Sequence, residues 1–440
     1  MKRISLLLII SLFVSQLNAQ GTKLENGPML GYSTLHEVML WVQTTQEAKV
    51  QIVYYTDGQK EKHFSQSVLT EKKNAFAAHL LLDEITPATK YNYDVLIDGK
   101  KQKLAYETSF TTKQILPYRT DAPAFSFAAS SGCYINEEAF DRPGNEYGGL
   151  YQIFETIKKQ KPDFMIWGGD NVYLRQYEWE SWTGVVHRYT HDRKTTEMQE
   201  LLANVHHYAI VDDHDFGPND SDGGFPFKDM TTRAFQTFWA NPPKIAGLES
   251  STSFFSWYDA DFFMLDNRYY RSPNYLISDE KTQLGKKQLQ WLKDALVFSK
   301  ASFKFILIGG QFLNAYPSYE SYTNYGFNKE REEIINFIYE QKVRNVVFIT
   351  GDRHYTDLSI LKKRGQPDIM DITLSPFTSG PNTHAMKEQN YLRVEGTTVM
   401  ERNFGLLKLK GDRKHRKLEI SVIGTEGNLI WKKEFDSKRK

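Results

Sequence analysis

Between residues 125 and 352 the chain repeats one unit, a short apolar run that stops at a glycine, an acid or a cluster of polar residues. "FSFAASSGC" (125–133), "DFMIWGGD" (163–170), "HHYAIVDDHD" (206–215), "DFFMLDNR" (261–268), "FKFILIGG" (303–310) and "VVFITGD" (346–352) all follow it. Runs this short that are apolar throughout suit strands covered on both faces. Between them apolar residues recur at helical spacing: Ile153, Phe154 and Ile157, then Leu289, Leu292 and Leu296, then Ile334, Phe337 and Ile338. Alternation of this kind predicts a layered α/β domain from residue 120 to 440 with a largely parallel central sheet. In such sheets ligands bind in the crevice beyond the carboxyl ends of the strands.

Residues 22–115 have a different texture. "VMLWVQT" (38–44) and "KVQIVYYT" (49–56) are β-rich and followed by the turn signal Asp57-Gly58, and "KYNYDVLID" (90–98) alternates before a second Asp-Gly. Short strands at this spacing predict a β-sandwich. The Ile85-x-Pro87-x-Thr89-x-Tyr91 pattern resembles fibronectin type III domains. No nucleophile or ligand cluster falls here, so the region reads as scaffold or as a cap beside a site. Residues 217–250, rich in Gly, Pro, Asn and Asp, read as a long excursion. "GLLKLKG" and "KLEISVIG" read as closing strands, and "KKEFDSKRK" (432–440) as a solvated tail.

The first residues, "MKRISLLLIISLFVSQLNAQ", combine positive charge, an apolar run and a small-residue cleavage pattern. Residues 1–19 are therefore expected to be a secretory signal peptide, too short for a comfortable membrane span. They contain no twin arginine and no cysteine at the cleavage point. With no later span, the expected location is the periplasm or outside the cell. A net charge of +1 favours neither nucleic acid nor an anionic membrane as a bulk partner. The single cysteine, Cys133, excludes an internal disulfide. In an oxidising compartment a lone thiol calls for burial, pairing with another chain, or service as a ligand.

The residues at the strand ends carry the chemistry. The first strand delivers Cys133, the second Asp170 and Tyr173, the third Asp212-Asp213-His214-Asp215, and the last Asp352-Arg353-His354. A lone acid after two glycines is more often a turn or a helix cap than a ligand. Three acids beside a histidine just past a buried strand are another matter. Like charges there repel and are poorly solvated, and a bound cation removes the penalty. Four strands delivering ligand types to one edge point to a metal site. Carboxylates suit hard cations such as Ca²⁺, Mg²⁺ or Mn²⁺, whereas a thiolate and a histidine suit a transition metal. A phenolate is most readily stabilised by a strong Lewis acid such as Fe³⁺, because it must lose a proton with a pKa near 10. The reading is a mixed site, with iron beside harder cations and Asp170 shared between them.

In order, "SSGC", "GGDNVY", "VDDHDFGPND", "FFMLDNRYYR" and "TGDRHYTDL" resemble the PhoD-like alkaline phosphatases, within the wider calcineurin-like metallophosphoesterases. That resemblance covers nearly all of the mature chain. It implies a metallophosphoesterase-type layered α/β catalytic domain after a fibronectin-III-like sandwich, and metal-dependent hydrolysis of phosphate esters by an iron and calcium cluster. Carried over by motif, Cys133, Asp170 and Tyr173 would hold iron, and Asp213, Asp352 and His354 would complete the cluster. Asn219 is a further candidate for a metal or phosphate contact. The chain departs from the pattern in its leader, and in Tyr134, which leaves no basic residue directly after the cysteine. Arg353, Arg175 or Arg268 would then meet the phosphate.

The implied mechanism needs no serine or cysteine nucleophile, because cations activate water. His214 is the candidate to donate a proton to the leaving oxygen, and Arg353 the candidate phosphate clamp. Phosphodiesterase or phospholipase activity on the same metals is the nearest alternative. A secreted binding protein with structural metals is the alternative from another class.

Overall fold

The computed structural model describes residues 23–437, apart from 118, 119, 142, 145, 150, 318 and 319. The expected leader, residues 1–19, lies outside the described residues. Among those described, no helix is long and apolar enough to cross a membrane.

The N-terminal strands are β1 (Leu24–Ser33), β2 (Val38–Thr44), β3 (Lys49–Tyr55), β4 (His63–Phe64), β5 (Val68–Leu69), β6 (Ala77–Leu82), β7 (Lys90–Ile97), β8 (Lys100–Lys101) and β9 (Ser109–Thr111). They form a three-stranded sheet, β1-β2-β6, and a second sheet in the order β4-β3-β7-β8, with β5 on β3 and β9 on β7. The alternation read in the sequence is the burial pattern: in β7 Tyr91, Tyr93, Val95 and Ile97 are buried while their neighbours are not. These side chains meet Leu30, Leu40, Val42 and Leu80 of the facing sheet in one core, giving the expected fibronectin-III-like sandwich.

The rest of the chain runs β10 (Phe125–Ser130), α1 (Gln152–Lys159), β11 (Phe164–Gly168), α2 (Trp182–Asp192), α3 (Thr196–Asn204), β12 (His206–Ile210), α4 (Asp213–Phe216) and α5 (Lys228–Phe238). Then follow β13 (Ser253–Trp257), β14 (Ala260–Met264), α6 (Gly285–Phe298), β15 (Phe303–Leu307), α7 (Asn328–Glu340) and β16 (Val346–Thr350). The chain ends with β17 (Asp357–Leu361), β18 (Ile369–Thr373), β19 (Asn403–Lys410), β20 (Lys417–Gly424) and β21 (Leu429–Asp436).

The expected single parallel sheet is in fact two six-stranded sheets, β12-β11-β10-β19-β20-β21 and β13-β14-β15-β16-β18-β17. Parallel pairing holds for β10, β11 and β12 in one and for β14, β15, β16 and β18 in the other; the remaining pairs are antiparallel. Period-two alternation sorts each strand between two cores. Phe127, Phe164, Ile166, Phe262, Phe305 and Ile349 face inward and fill the space between the sheets. Met165 and Trp167 face the helices outside the first sheet, and Phe263, Ile306 and Phe348 those outside the second. Rings interlock across the inner space: Phe127 stacks on Phe164 at 5.0 Å and meets Phe305 edge-on at 5.3 Å. A strand apolar on both faces is thus explained by a four-layer α/β/β/α stack.

Two expectations need correcting. The 217–250 excursion contains α5, whose Thr231, Ala234, Phe235 and Phe238 are buried on one face. The surrounding Gly, Pro and Asp obscured that periodicity. The residues read as a solvated tail include most of β21, an edge strand on β20. Its charges pair across the strands, Glu434 with Lys410 at 2.7 Å and with Lys417 at 2.8 Å, and Lys432 with Glu419 at 2.8 Å. Charged edges of this kind discourage pairing with further strands.

The sandwich is seated on the first sheet's helical layer. Trp41 Nε1 donates to the Thr237 carbonyl at 2.9 Å, Asn26 and Gln43 reach Thr190, and the Tyr93 hydroxyl donates to the Ala203 carbonyl at 2.6 Å. The buried Arg193 guanidinium lies 4.0 Å from the Trp239 ring centre and 6.0 Å from those of Trp41 and Trp167. Trp41 is fully buried in the same core as Trp167 and Phe238. Trp41→Ala should therefore cost about 3–5 kcal/mol, read from chemical denaturation. A loss within the surface range of about 0.5 kcal/mol would mean that this contact does not secure the sandwich.

Candidate metal centre

The carboxyl ends of β10, β11 and β12 in one sheet meet that of β16 in the other, and the acids collect at this junction. Oxygen atoms of Asp212, Asp213 and Asp352 lie within 4.8 Å of one another, as do ligand atoms of Asp170, Asp213 and His214, and of Asp213, Asp220 and Glu320. Asp213 belongs to all three groups. The junction is tight enough to need glycine: a Cβ on Gly309, just after β15, would fall 2.3 Å from the Asp212 carboxyl carbon. Asp170, Asp352 and His354 all have left-handed backbone, at φ 52°, 67° and 54°. Such strain in non-glycine residues clusters at functional sites, where surrounding structure holds it in place.

Around Asp170 the contacts form a chain. The Tyr173 hydroxyl is 3.2 Å from Asp170 Oδ2 and 3.0 Å from His354 Nε2, and the His214 backbone N–H donates to Asp170 Oδ1 at 3.3 Å. His354 Nδ1 faces the Gly380 carbonyl at 2.9 Å and the Tyr147 hydroxyl at 2.7 Å. These partners direct the ring's Nε2 toward Tyr173, and outer contacts of this kind fix the orientation of a ligand imidazole. The His214 ring lies against the Tyr173 ring, with centroids 4.2 Å apart. The acid and the phenol of "GGDNVY" therefore reach one point.

Below the acids lies a fully buried arginine. Arg268 Nε donates to Asp212 Oδ1 at 2.5 Å, its Nη1 to Glu320, and its Nη2 stands 3.7 Å from Asp213 Oδ1. Asn267 Nδ2 adds a bond to Asp212 Oδ1 at 3.0 Å. Asp215, the last acid of "DDHD", accepts the Asn171 and Asp212 backbone N–H groups at 3.0 Å each and so holds the turn together. Arg271 Nη2 also pairs with Glu320, at 3.0 Å, and the acids still outnumber these two guanidiniums. Burial, followed by the neighbouring carboxylates, raises Asp170 well above the usual range, and burial with Asp212 does the same to Asp352. Asp212 is pushed up to about 6 by burial. Burial also raises Asp213, but His214, Arg268 and the Asp220 N–H outweigh it and hold this acid below the carboxylate range. Burial pushes the Tyr173 phenol up, assisted by Asp170, and lowers His354 to about 4.

A cation fits this donor set. Asp212 Oδ2 and Asp213 Oδ1 are buried without any hydrogen-bond partner among the described residues. Leaving buried anionic oxygens unpaired is costly, and a cation between them removes the cost.

Several expected site residues stand elsewhere. Cys133 belongs to no cluster of possible metal ligands among the described residues. Its side chain packs in the apolar core with Ile153, Phe154 and Trp167, and burial pushes its thiol up. Asn219 is exposed. Its neighbour Asp220, whose N–H caps Asp213 Oδ2 at 2.7 Å, faces the acids instead. Arg353 is buried, paired with Glu388 and lying over the Tyr355 ring, so its charge is committed within the fold. Arg175 is bound to Asp141 at 3.2 Å. Sequence reading did not find Asp220, Glu320 or Arg402. Glu320 lies in a polar stretch with no motif, and only the fold brings it to Arg268.

Beside the Tyr173–His354 contact opens a cavity of about 570 Å³, lined by Tyr134, Phe140, Tyr147, Arg175 and Arg402 among others. Tyr134 lies 5.0 Å and Tyr147 6.4 Å from the Tyr173 ring. The site therefore has an aromatic antechamber in which Asp141 and Glu146 stand beside the two arginines.

Two stacked β-sheets flanked by helices, with acids and histidine gathered at their carboxyl ends, define a metallophosphoesterase-type protein. The sequence profile of the PhoD-like phosphatases matches residues 139–408, more than half of the chain, and the chain belongs to that family. A second profile, described only as a domain of unknown function, matches residues 21–115. Alkaline phosphatase D of Bacillus subtilis (strain 168) is 26% identical over 350 residues, covering 67% of this chain and 57% of that protein. The chain thus spans little more than half the length of this curated relative. A solved structure of PhoD superposes with a TM-score of 0.76 at 18% identity, over 94% of this chain and 90% of that one. Purple acid phosphatase PPD1 from yellow lupin (Lupinus luteus) seeds gives 0.67 at 11% identity, over 93% and 74%. Both likenesses establish the fold.

In cation-free protein the native Asp212 carboxyl holds its proton up to about 6, against 3.8 ordinarily. A carboxyl raised in this way binds more protons folded than unfolded, so its contribution to stability is lost as pH rises through the native value. The gap in melting temperature between cation-loaded and chelator-treated protein should therefore widen between about pH 4 and 6. A gap that narrows as pH rises would contradict the buried-acid arrangement.

Proposed function

We propose that the protein hydrolyses phosphate esters at a cation cluster held by Asp170, Tyr173, Asp213, Asp352 and His354, with Asp212 and Arg268 supporting it from below. The observation that carries this reading is the pair of buried oxygens that accept no hydrogen bond, Asp212 Oδ2 and Asp213 Oδ1, at the junction of two sheets; Arg268 Nη2 comes only within 3.7 Å of the second. The phenol, imidazole and carboxylate at Tyr173, His354 and Asp170 suit Fe³⁺, and the carboxylates of Asp213 and Asp352 suit a harder cation such as Ca²⁺. When bound, such cations polarise the phosphoryl oxygens and lower the pKa of an attacking water. Asp170 lies next to both groups and is the candidate bridge. The same reading has the chain exported, on the strength of its leader-like residues 1–19.

His214 is placed to act on the ester. Its backbone is fixed by Asp170 and its ring rests on Tyr173, so a ring N–H can be presented to the leaving oxygen. Burial lowers its pKa although Asp213 opposes this. A neutral imidazole remains a hydrogen-bond donor through one ring nitrogen. Arg402 borders the cavity and donates to the Thr378 and Ser379 carbonyls at 2.8 and 3.1 Å, so its charge has a fixed place beside an incoming phosphate.

A second reading, diester hydrolysis, is favoured by the wall of Tyr134, Phe140 and Tyr147, which offers an organic substituent a surface. Rates on p-nitrophenyl phosphate and its bis-ester, with and without chelator, separate the two. Loss of both activities with chelator is the expected outcome, and chelator-resistant turnover would sink the metal mechanism. Asp170→Ala should remove activity and bound metal together, whereas Asp57→Ala, in a sandwich turn, should remove neither.

His214→Ala should lower kcat by about 10²–10⁴-fold, the range of general acid–base catalysis, at unchanged metal content. The loss should be larger on glycerol phosphate, whose alkoxide needs a proton at departure, than on p-nitrophenyl phosphate. Equal losses would assign His214 to charge stabilisation at the phosphoryl group, and loss of metal would make it a ligand.

A further inference from the structure

Gly132 follows β10 at φ 74°. A Cβ built on it would lie 3.4 Å from the Tyr173 hydroxyl, 2.7 Å from Ser379 Oγ and 3.6 Å from Ser375 Oγ. The position from which the first strand would send a side chain toward the Asp170–Tyr173–His354 group is therefore 132, and it has none. Cys133 points the other way, into the core formed with Ile153, Phe154 and Trp167. The charges that reach its thiol belong to Asp192, Arg193 and Asp215.

The space over Gly132 is taken by the segment after β18. The Thr378 and Ser379 backbone N–H groups both donate to the Gly132 carbonyl, at 3.1 and 3.0 Å. Ser375 Oγ accepts the His354 N–H at 3.1 Å. Ser379 is fully buried; its Oγ makes no hydrogen bond of good geometry among the described residues and faces the Tyr173 phenol. A buried hydroxyl without such a bond calls for an explanation.

We propose that the cation at Asp170, Tyr173 and His354 is held without a thiolate, by oxygen and nitrogen atoms alone, with the Ser379 hydroxyl filling the place left open by Gly132. Cys133 is then a packing residue of the α/β core. This inference rests on the reading of the site as a cation-dependent phosphoesterase centre. A set without sulfur turns the site away from thiophilic metals and toward harder ones. It also leaves the lone thiol of an exported chain shielded from oxidants, since reactivity follows thiolate character and exposure.

Cobalt tests the inference without relying on activity, because a cobalt–thiolate bond adds an intense near-ultraviolet charge-transfer band. The full chain is stripped with chelator and reloaded with Co²⁺. The expected result is a cobalt spectrum without that band, superimposable in Cys133→Ala and Cys133→Val at the same metal content per chain. Ser379→Ala should weaken cobalt binding about 10-fold or more, the scale of lost supporting contacts at metal sites, with circular dichroism unchanged. A thiolate band in the unmodified protein overturns the inference even if every Cys133 variant fails to fold. Unchanged cobalt affinity in Ser379→Ala overturns the role given to the hydroxyl. A protein that takes up no cation at all overturns the phosphoesterase reading and this inference together.

Discussion

Several negative charges are buried at one point, and they outnumber the two arginines beneath them, of which Arg271 pairs with Glu320 at 3.0 Å. Arg268 is committed to Asp212 and Glu320, and it reaches Asp213 only at 3.7 Å. Asp170 and Asp352 stand beside these acids with their pKa values forced up. Such an arrangement is unfavourable by itself, because desolvation of the carboxylates exceeds what the fewer guanidiniums return. The surrounding structure compensates by rigidity: left-handed backbone at Asp170 and Asp352, backbone N–H caps on Asp213 and Asp215, and a glycine at 309. The left-handed residues cost stability and the glycine forgoes a side chain, while the caps steady the charged acids. All of them make sense as parts of a cation site.

The two-sheet stack is what permits this concentration of charge. A single sheet would offer one row of strand ends, and its acids would face a helix layer or solvent. Here Asp170 and Asp213 leave the first sheet and Asp352 leaves the second, and they meet because Phe127, Phe164, Phe262 and Phe305 fix the spacing between the sheets. The sandwich contributes no ligand cluster among the described residues. Its Trp41 instead joins the apolar core that contains residues of α2 and α5.

The strand ends and their acids were legible in the sequence because a buried strand must be apolar and its end must be a turn. That is why Asp170, Tyr173, Asp213, Asp352 and His354 could be picked out and are found at the same junction. Glu320 and Arg402 carried no such signal, and Asp220 closes the "VDDHDFGPND" motif without standing at a strand end. Polar residues are common in loops for reasons unrelated to function. Arg353 misled for the same reason: between two ligands it reads as a clamp, but its partner Glu388 lies 35 residues away in sequence.

The pattern of apolar runs and helical periods in this sequence by itself determined a sandwich followed by a layered α/β unit, and a crowd of acids at strand ends that called for a cation. Only the tertiary structure decided that there are two sheets, and that Gly132, one residue before Cys133, stands at the phenol. The reason is the turn after β10, where the left-handed backbone of Gly132 (φ 74°) breaks the alternation of the strand. Sequence counts residues along the chain, but which of two neighbours faces a site is settled by the turn that the fold imposes.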